Sequence, residues 1–293
     1  MLRYREKENG GEDMLVLDHA SVLGYLPDRA ENSHKGDYGR VLLLCGSRGY
    51  TGAAALAAMG ALRVGSGLVY LGVPESIYEI EAVKLTEPIV FPLPDHGGKL
   101  ANAAIPEIDR LLEQMDAVLI GPGCGQSAGV EAAVLHVVKN AKCPVILDAD
   151  GINLMSMHKD ILRGRTGVTV MTPHEGEFIR FTGKSIGNRQ KAAMELAADL
   201  GVIVVLKGHG TIVSDGVSCY RNPTGNPGMA VGGSGDVLAG MITGLTGQGI
   251  DPLISAACGA WLHGAAGDKC AAETGQYGLL PSDMLSVLPR LMK

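Results

Sequence analysis

The sequence GNPGMAVGGSGD, residues 225–236, runs directly into a helical pattern that begins with VLAG at residue 237. Gly232, Gly233 and Gly235 allow backbone N–H groups to converge at the start of this helix. There these groups and the helix dipole favour an anion such as phosphate. Asp236 stands beside the loop. Its carboxylate could cap the helix, or it could take a proton from a hydroxyl that attacks phosphorus, and local sequence favours neither role.

A second candidate segment precedes this loop. The apolar residues 204–206 predict the end of a buried strand, and KGHGT follows at 207–211. The glycines permit close backbone approach, while Lys207 and Thr211 supply a cation and a hydroxyl for a phosphate. P-loop spacing is absent, so an ordinary strand-to-hairpin turn is the favoured interpretation of this segment taken alone.

A third segment, TPHEGE at residues 172–177, follows another predicted strand. Ligands of open parallel sheets bind beyond the carboxyl ends of the strands, so His174 and Glu177 are expected to face a crevice. Glu177 could hold Mg²⁺ directly or through water. The alternative, which a lone glutamate favours, is a solvated side chain that interacts with the helix dipole.

Three further segments adjoin predicted strands. IGPGCG at 120–125 and LDADGIN at 147–153 follow strands and would line the same edge of the sheet. Asp148 or Asp150 could orient Mg²⁺ or water, or satisfy local backbone donors in an Asx-turn. HKGDYGR at 34–40 could close one side of the pocket or form a solvated edge.

Short apolar runs recur along the chain and predict buried strands. These runs lie at residues 41–45, 68–73, 117–120, 144–147, 168–171 and 202–206. Helical patterns separate several of them, which implies right-handed βαβ crossovers and a mostly parallel sheet covered on both faces. We therefore predict an α/β fold, a three-layer α/β/α sandwich that forms one domain over residues 1–293. Residues 1–35 are a lead-in segment, either a short helix or a mobile arm.

Capping residues and a turn dipeptide predict where several helices and a hairpin begin or end. Ser127 and Asn188 are predicted to cap helices, and Gly201 to end the second of them. Asp215-Gly216 between two short runs predicts a β-hairpin with a type I′ turn. Candidate helices follow at 235–246, 254–272 and 281–291.

Charge, cysteine spacing and absent motifs argue against several classes of function. The net charge of -6, without a dense Lys/Arg run, argues against a nucleic-acid partner. No segment suits a signal peptide or a membrane span, and six widely spaced cysteines lack zinc-site spacing, so a cytoplasmic protein with reduced thiols is expected. GxGxxG, GxSxG and HExxH patterns are absent, so a Rossmann site, covalent hydrolysis and zinc chemistry have no sequence support.

The order of these motifs resembles that of the ADP/ATP-dependent NAD(P)H-hydrate dehydratase family in the ribokinase-like superfamily. The resemblance covers nearly the whole chain. The motifs that carry it lie at residues 34–40, 50–54, 121–123, 147–151, 172–174, 207–208 and 225–236. Glu175 departs from the family pattern, which often has proline after the histidine.

The resemblance implies a role for each site residue. Asp236 matches the catalytic aspartate, which also contacts substrate, and Glu177 matches the glutamate that assists Mg²⁺. Ala53, Gly123 and His174 match substrate-binding positions. The implied nucleotide-binding residues are Lys207, Gly208, His209, Gly210, Thr211 and Gly235. The amides expected to form an anion hole belong to Gly232, Gly233, Ser234 and Gly235.

The implied reaction restores NADH or NADPH from the S form of its hydrate. ADP or ATP would phosphorylate the C6 hydroxyl, and phosphate would then leave. The resemblance also implies a homotetramer and a functional link to a separate NAD(P)H-hydrate epimerase. Two alternatives remain: a small-molecule kinase of the same fold, acting on an alcohol such as a hydroxyethylthiazole, and a nucleotide-sensing module without turnover.

Overall fold

The computed structural model describes residues 4–6 and 14–293 of the chain. The strands, in chain order, are β1 (Tyr4–Glu6), β2 (Met14–Val16), β3 (Arg40–Leu44), β4 (Leu68–Pro74), β5 (Ile89–Leu93), β6 (Asp95–His96), β7 (Lys99–Leu100), β8 (Ala117–Ile120), β9 (Val145–Leu147), β10 (Thr169–Met171), β11 (Ile203–Leu206), β12 (Ile212–Ser214) and β13 (Cys219–Arg221). The helices are α1 (His19–Leu23), α2 (Thr51–Arg63), α3 (Tyr78–Lys84), α4 (Ile105–Leu112), α5 (Ala128–Asn140), α6 (Asp150–Met155), α7 (Lys159–Arg163), α8 (Glu175–Thr182), α9 (Arg189–Leu200), α10 (Ser234–Gly247), α11 (Pro252–Thr274) and α12 (Pro281–Leu291).

The main sheet has the strand order β1-β2-β13-β12-β11-β10-β9-β8-β3-β4-β5. The segment from β11 to β5 is parallel throughout, whereas β12 and β13 form an antiparallel hairpin beside β11. The prediction of a mostly parallel sheet is confirmed. All six predicted strands are present, with bounds that differ by at most one residue.

Both faces of the sheet are covered because successive side chains of a buried strand point to opposite sides. In β3, Val41 and Leu43 pack into a core with α2, α10, α11 and α12. Leu42 and Leu44 belong to a second core with α4, α5, α8 and α9. The three-layer α/β/α prediction is therefore confirmed.

Helices α2 and α10 approach each other closely through glycines. A Cβ atom added to Gly240 would lie 2.0 Å from the carbonyl oxygen of Ala57, and one added to Gly60 would lie 2.5 Å from that of Val237. The absence of side chains at these two positions lets the backbones touch. This contact fixes the axis of α10, whose first turn carries Asp236.

The predicted helix signals are confirmed. Ser127 Oγ accepts a hydrogen bond from the Val130 amide at 3.2 Å, and Asn188 Oδ1 accepts one from the Lys191 amide at 2.9 Å. Gly201 ends α9 in the left-handed conformation, with a φ of 65°.

The hairpin between β12 and β13 is confirmed, but its predicted type I′ turn is wrong. A type I′ turn needs positive φ at both central residues. Gly216 has a φ of 92°, whereas Asp215 is not among the residues with positive φ. The Asp215 carboxylate instead accepts hydrogen bonds from the amides of Val217 and Ser218, which stabilises a longer loop.

The lead-in segment contributes more than the predicted short helix. Helix α1 spans only five residues, while β1 and β2 pair antiparallel and β2 extends the sheet beside β13. The part of the predicted arm at residues 1–3 and 7–13 lies outside the described residues. Within the described ranges, no helix combines the length and apolar character required to cross a membrane.

The strand order reverses at β3. The chain passes from β3 to β4 on one side, and it later returns to place β8 on the other side of β3. The loops that follow β3 and β8 lead to helices on opposite faces of the sheet, α2 and α5, and at such a reversal the carboxyl edge of an open α/β sheet forms the crevice where ligands bind.

Candidate active site

The loops after β3 and β8 meet at this crevice. The Gly46 amide donates to the Pro122 carbonyl at 2.8 Å, and Ser47 Oγ donates to the Gly123 carbonyl at 2.7 Å. Gly123 has a φ of 63°, and a Cβ atom there would lie 2.7 Å from Cβ of Ala53. Ala53 and Gly123, both expected to contact substrate, are thus neighbours.

A charged cluster lies further along the same edge, after β9, β10 and β11. Lys207 Nζ is 2.7 Å from Asp148 Oδ1 and 3.8 Å from Glu177 Oε2. Asp148 is 1% exposed and also accepts a hydrogen bond from Thr172 Oγ1 at 2.7 Å. Asp148 therefore contributes its carboxylate to the cluster, while Asp150 accepts from the Gly125 amide at 2.8 Å.

Asp236 adjoins this cluster from the first turn of α10. Burial, together with the negative charges of Asp148 and Glu177 and against the opposing charge of Lys207, raises the pKa of its carboxyl to about 6. At neutral pH the group is a carboxylate with enhanced proton affinity. A pKa near the working pH suits a general base.

Lys207 is the cation shared by these carboxylates. Burial alone would lower the pKa of its ammonium group, but Asp148 and Glu177 hold that pKa above its ordinary value. Asp148, Glu177 and Asp236 carry three negative charges when ionised, against the one positive charge of Lys207. The excess of carboxylate oxygen suits a hard cation such as Mg²⁺.

The oxygen ligands of such a cation could not all come from protein side chains. Within the part of the chain that the structure describes, no group of three His, Cys, Asp or Glu residues is arranged to hold a metal ion. Mg²⁺ usually keeps several waters and binds through one or two carboxylates plus substrate phosphates. The carboxylates of the cluster fit Mg²⁺ that is bound in this way, with water and phosphate as its other ligands.

His174 and Glu177 form a reciprocal cap at the start of α8. The His174 amide donates to Glu177 Oε2 at 2.8 Å, while His174 Nδ1 accepts from the amides of Gly176 and Glu177. Glu177 is only 5% exposed, so the alternative of a solvated glutamate is wrong. The imidazole of His174 is half-exposed, with Nε2 3.4 Å from Glu177 Oε1.

The turn at residues 207–211 lies against the glycine loop. A Cβ atom on Gly235 would be 3.2 Å from Lys207 Nζ. Gly208 and Gly210 have φ values of 150° and 63°, and Thr211 Oγ1 donates to the Gly208 carbonyl at 2.9 Å. His209 is exposed at the tip.

Residues 225–235, here called the anion loop, end at the start of α10. Gly233 precedes the helix with a φ of 95°, and Ser234 is its first residue. The first amides of a helix have no intrahelical acceptor; the Ser234 amide donates to the Val231 carbonyl at 3.3 Å, and the amides that follow it in the first turn are available to an anion. The structure thus brings the glycine loop, Lys207 and Asp236 together at one edge of the sheet.

Residues 34–40 lie elsewhere. They lead into β3 and include its first residue, Arg40; because the carboxyl end of β3 faces the crevice, they stand at the opposite edge of the sheet. The hypothesis that they close one side of the pocket is wrong. The Arg40 amide donates to Asp116 Oδ2 at 2.7 Å at that edge.

Sequence reasoning missed Arg189. Its guanidinium donates to the carbonyls of Leu206 and Lys207 at 2.9 and 3.1 Å and forms an ion pair with Glu175. These hydrogen bonds stabilise the backbone at the start of the turn at 207–211. Glu175, the departure from the family pattern, was the one available signal, but its partner is fourteen positions away.

The fold and the site together define a ribokinase-like α/β protein. Ribokinase from Arabidopsis thaliana, solved with ribose and ATP, matches 87% of this chain and 99% of its own with a TM-score of 0.57. The sequence identity of 15% makes this a likeness of fold alone.

Within that class, the chain belongs to the NAD(P)H-hydrate dehydratase family, whose model matches residues 41–290. The resemblance drawn from the sequence is confirmed.

Curated relatives and a solved structure agree with this assignment. A bifunctional NAD(P)H-hydrate repair enzyme Nnr from Moorella thermoacetica is 41% identical over 285 residues, 95% of this chain and 54% of that protein. An ADP-dependent (S)-NAD(P)H-hydrate dehydratase from Bacillus subtilis is 39% identical over 278 residues, 93% of this chain and 95% of that enzyme. The chain spans about half the length of the bifunctional relatives.

The solved structure is that of ADP/ATP-dependent NAD(P)H-hydrate dehydratase from Bacillus subtilis, co-crystallised with ATP and Mg²⁺. It is similar to this chain with a TM-score of 0.80 and 35% identity, and the match covers 94% of this chain and 96% of that one.

Proposed function

We propose that this chain uses ADP or ATP to dehydrate the S form of hydrated NADH or NADPH and so restores the reduced cofactor. The observation that carries the proposal is a partly buried carboxylate, Asp236, whose pKa of about 6 suits a base and which adjoins both an anion loop and Lys207. The names of the relatives support this substrate and this nucleotide.

The chemistry requires the substrate hydroxyl to become a better leaving group. In the first step the C6 hydroxyl oxygen attacks the terminal phosphorus, its proton passes to Asp236, and the bond from phosphorus to the nucleotide breaks. ADP would yield AMP, and ATP would yield ADP. In the second step the C6–O bond breaks, phosphate leaves with the bonding electrons, and loss of the proton on the neighbouring carbon restores the double bond.

The other residues of the site would bind and orient the nucleotide and the hydrated nicotinamide. Lys207 and Thr211, with the glycines at 208, 210 and 235 and His209, would hold the nucleotide phosphates, and the amides of residues 232–235 would stabilise charge on the transferring group. Ala53, Gly123 and His174 would contact the hydrated nicotinamide. Glu177, with nucleotide phosphates and water, would hold Mg²⁺, which when bound neutralises phosphate charge.

Recovery of NADH absorbance tests this proposal. Purified protein, Mg²⁺ and either ADP or ATP are added to hydrated NADH, and wild type is compared with Asp236→Asn. We expect nucleotide-dependent recovery by wild type and a loss of at least about 100-fold in the variant, because the isosteric amide cannot accept the proton. Nucleotide binding by the variant should persist. Recovery without nucleotide, or full activity of Asp236→Asn, would contradict the proposal.

The two alternatives predict different results in the same assay. A kinase of this fold would accumulate a phosphorylated alcohol and release no phosphate, and a nucleotide-sensing module would bind nucleotide without turnover. The expected homotetramer, cytoplasmic location and link to a separate epimerase stay predictions.

A further inference from the structure

Helix α11 packs directly beneath the anion loop through the sequence HGAAGD at residues 263–268. Two of its glycines lie under the loop at contact distance. A Cβ atom on Gly264 would be 2.2 Å from Thr224 Oγ1, and one on Gly267 would be 2.3 Å from Met229 Sδ. A side chain at position 264 would therefore displace the backbone of Thr224, which flanks the loop, whereas one at position 267 would require the Met229 side chain to move.

Asp268 holds the start of the anion loop. Its two carboxylate oxygens accept from the Gly225 amide at 2.8 Å and from Asn226 Nδ2 at 2.9 Å. Asn226 Oδ1 in turn accepts from the Gly228 amide at 3.0 Å. The carboxylate thus fixes both the backbone and the side chain at this end, with hydrogen bonds strengthened by its charge.

His263 holds the other end. It lies five residues before Asp268, is 8% exposed, and its Nε2 is 3.3 Å from Oγ of Ser234, the first residue of α10. Burial, reinforced by the positive charge of Lys207, lowers the pKa of this imidazole to about 4. The ring is therefore neutral at physiological pH and serves as a hydrogen-bonding group rather than as an acid.

We propose that His263 and Asp268 are positioning residues that clamp the two ends of the anion loop onto α11. The clamp sets where the amides of the loop meet the transferring phosphoryl group. Neither side chain needs to touch the reacting atoms. The inference deepens the proposed function and rests on it, because it assigns to these residues the geometry of the same phosphoryl-transfer site.

The test compares four variants with a matched control. His263→Ala and Asp268→Ala remove the contacts. His263→Gln offers a polar side-chain atom near the position of Nε2, and Asp268→Asn keeps one acceptor oxygen. Cys258→Ala is the control, because Cys258 is buried on the same helix outside the HGAAGD segment. For each protein we would measure thermal stability, kcat and KM for the nucleotide in the NADH-recovery assay.

The alanine variants should lose about 10- to 100-fold in kcat, since a displacement near 1 Å can cost about 100-fold, while KM for the nucleotide changes less than about threefold. His263→Gln should recover most of the loss and Asp268→Asn part of it. Unchanged kcat in both alanine variants, or an equal loss in Cys258→Ala at matched stability, would overturn the proposal. If His263→Ala does not fold, Asp268→Ala at its partly exposed position carries the same test.

Binding of a phosphoryl mimic separates this inference from the proposed function. If wild type fails to restore NADH, calorimetry with Mg²⁺, ADP and aluminium fluoride still reports on the loop. The alanine variants should then bind ADP as wild type does and bind ADP with aluminium fluoride at least about 10-fold more weakly. Equal binding of the mimic would reject the clamp whatever the substrate is.

Discussion

At the scale of single residues, the environment of Asp236 that lowers stability also favours its proposed role as a base. Its carboxyl is partly buried and lies near other carboxylates, which raises its pKa to about 6 from an ordinary 3.8. The folded protein therefore holds an unfavourable negative charge at neutral pH. Functional sites commonly retain such groups because the same environment makes a better base.

The sign of this effect gives a prediction about stability. Between pH 3.8 and about 6 the folded state keeps the Asp236 proton and the unfolded state does not, so stability falls as pH rises through this window. Asp236→Asn cannot ionise and therefore removes this contribution to the pH dependence of stability. The variant should be more stable than wild type by about 1–3 kcal/mol at pH 8 and nearly equal to it below pH 4.

Urea unfolding at both pH values measures the difference. Glu175→Gln, which alters an exposed carboxylate that pairs with Arg189, controls for a general effect of removing negative charge. An Asp236→Asn variant less stable than wild type at pH 8, or a difference that does not change with pH, would show that the carboxyl is not held in an unfavourable environment.

The residues of the site could be predicted to different extents. Asp236, Lys207 and Glu177 stand in glycine-rich or strand-end motifs, so their sequence context indicated them. Asp148 stayed open between an Asx-turn and a role in the site because its partner Lys207 is 59 residues away. His263 and Asp268 lie inside a helical pattern, and their partners are 29 and 43 positions away, so only the folded structure reveals their contacts.

At the scale of elements, the contact of α2 with α10 supports the site. Gly240 faces the Ala57 carbonyl so closely that no side chain fits, and α10 carries Asp236 in its first turn. The position of α10 therefore depends on a glycine contact away from the proposed site.

Gly240→Ala should lower the free energy of unfolding by at least about 3 kcal/mol, because backbone atoms cannot yield as a flexible side chain can. The control is Gly52→Ala in α2, where an added Cβ meets nothing within 4 Å. There we expect no loss, or a gain of up to about 1 kcal/mol. Chemical denaturation of both variants checks this, and equal stabilities would contradict the close packing of the two helices.

Strands were predictable where burial on both faces left a continuous apolar run. The missed β5 is an edge strand that contains Pro92 and is half-buried, so its sequence shows neither a run nor a clear alternation. The short strands β1 and β2 were missed for lack of length. The hairpin turn was wrong because an aspartate side chain, rather than positive φ at two residues, shapes the loop.

At the scale of the whole molecule, sequence order predicted the layers but not the order of the strands. Alternating strand and helix patterns imply a covered parallel sheet, whereas the reversal at β3 depends on which strands pair across long separations. That reversal creates the crevice. The net charge of -6 opposes anionic ligands, so the proposed nucleotide binding would depend on the local amides and Lys207 rather than on the overall field.

The central claim is that one site transfers a phosphoryl group and then releases it. The most direct test follows NADH and inorganic phosphate together in one reaction of wild-type protein with hydrated NADH, Mg²⁺ and ADP or ATP. We predict that one phosphate appears for each NADH restored and for each nucleotide cleaved. Accumulation of a phosphorylated product without free phosphate, or return of NADH without cleavage of the nucleotide, would contradict the account.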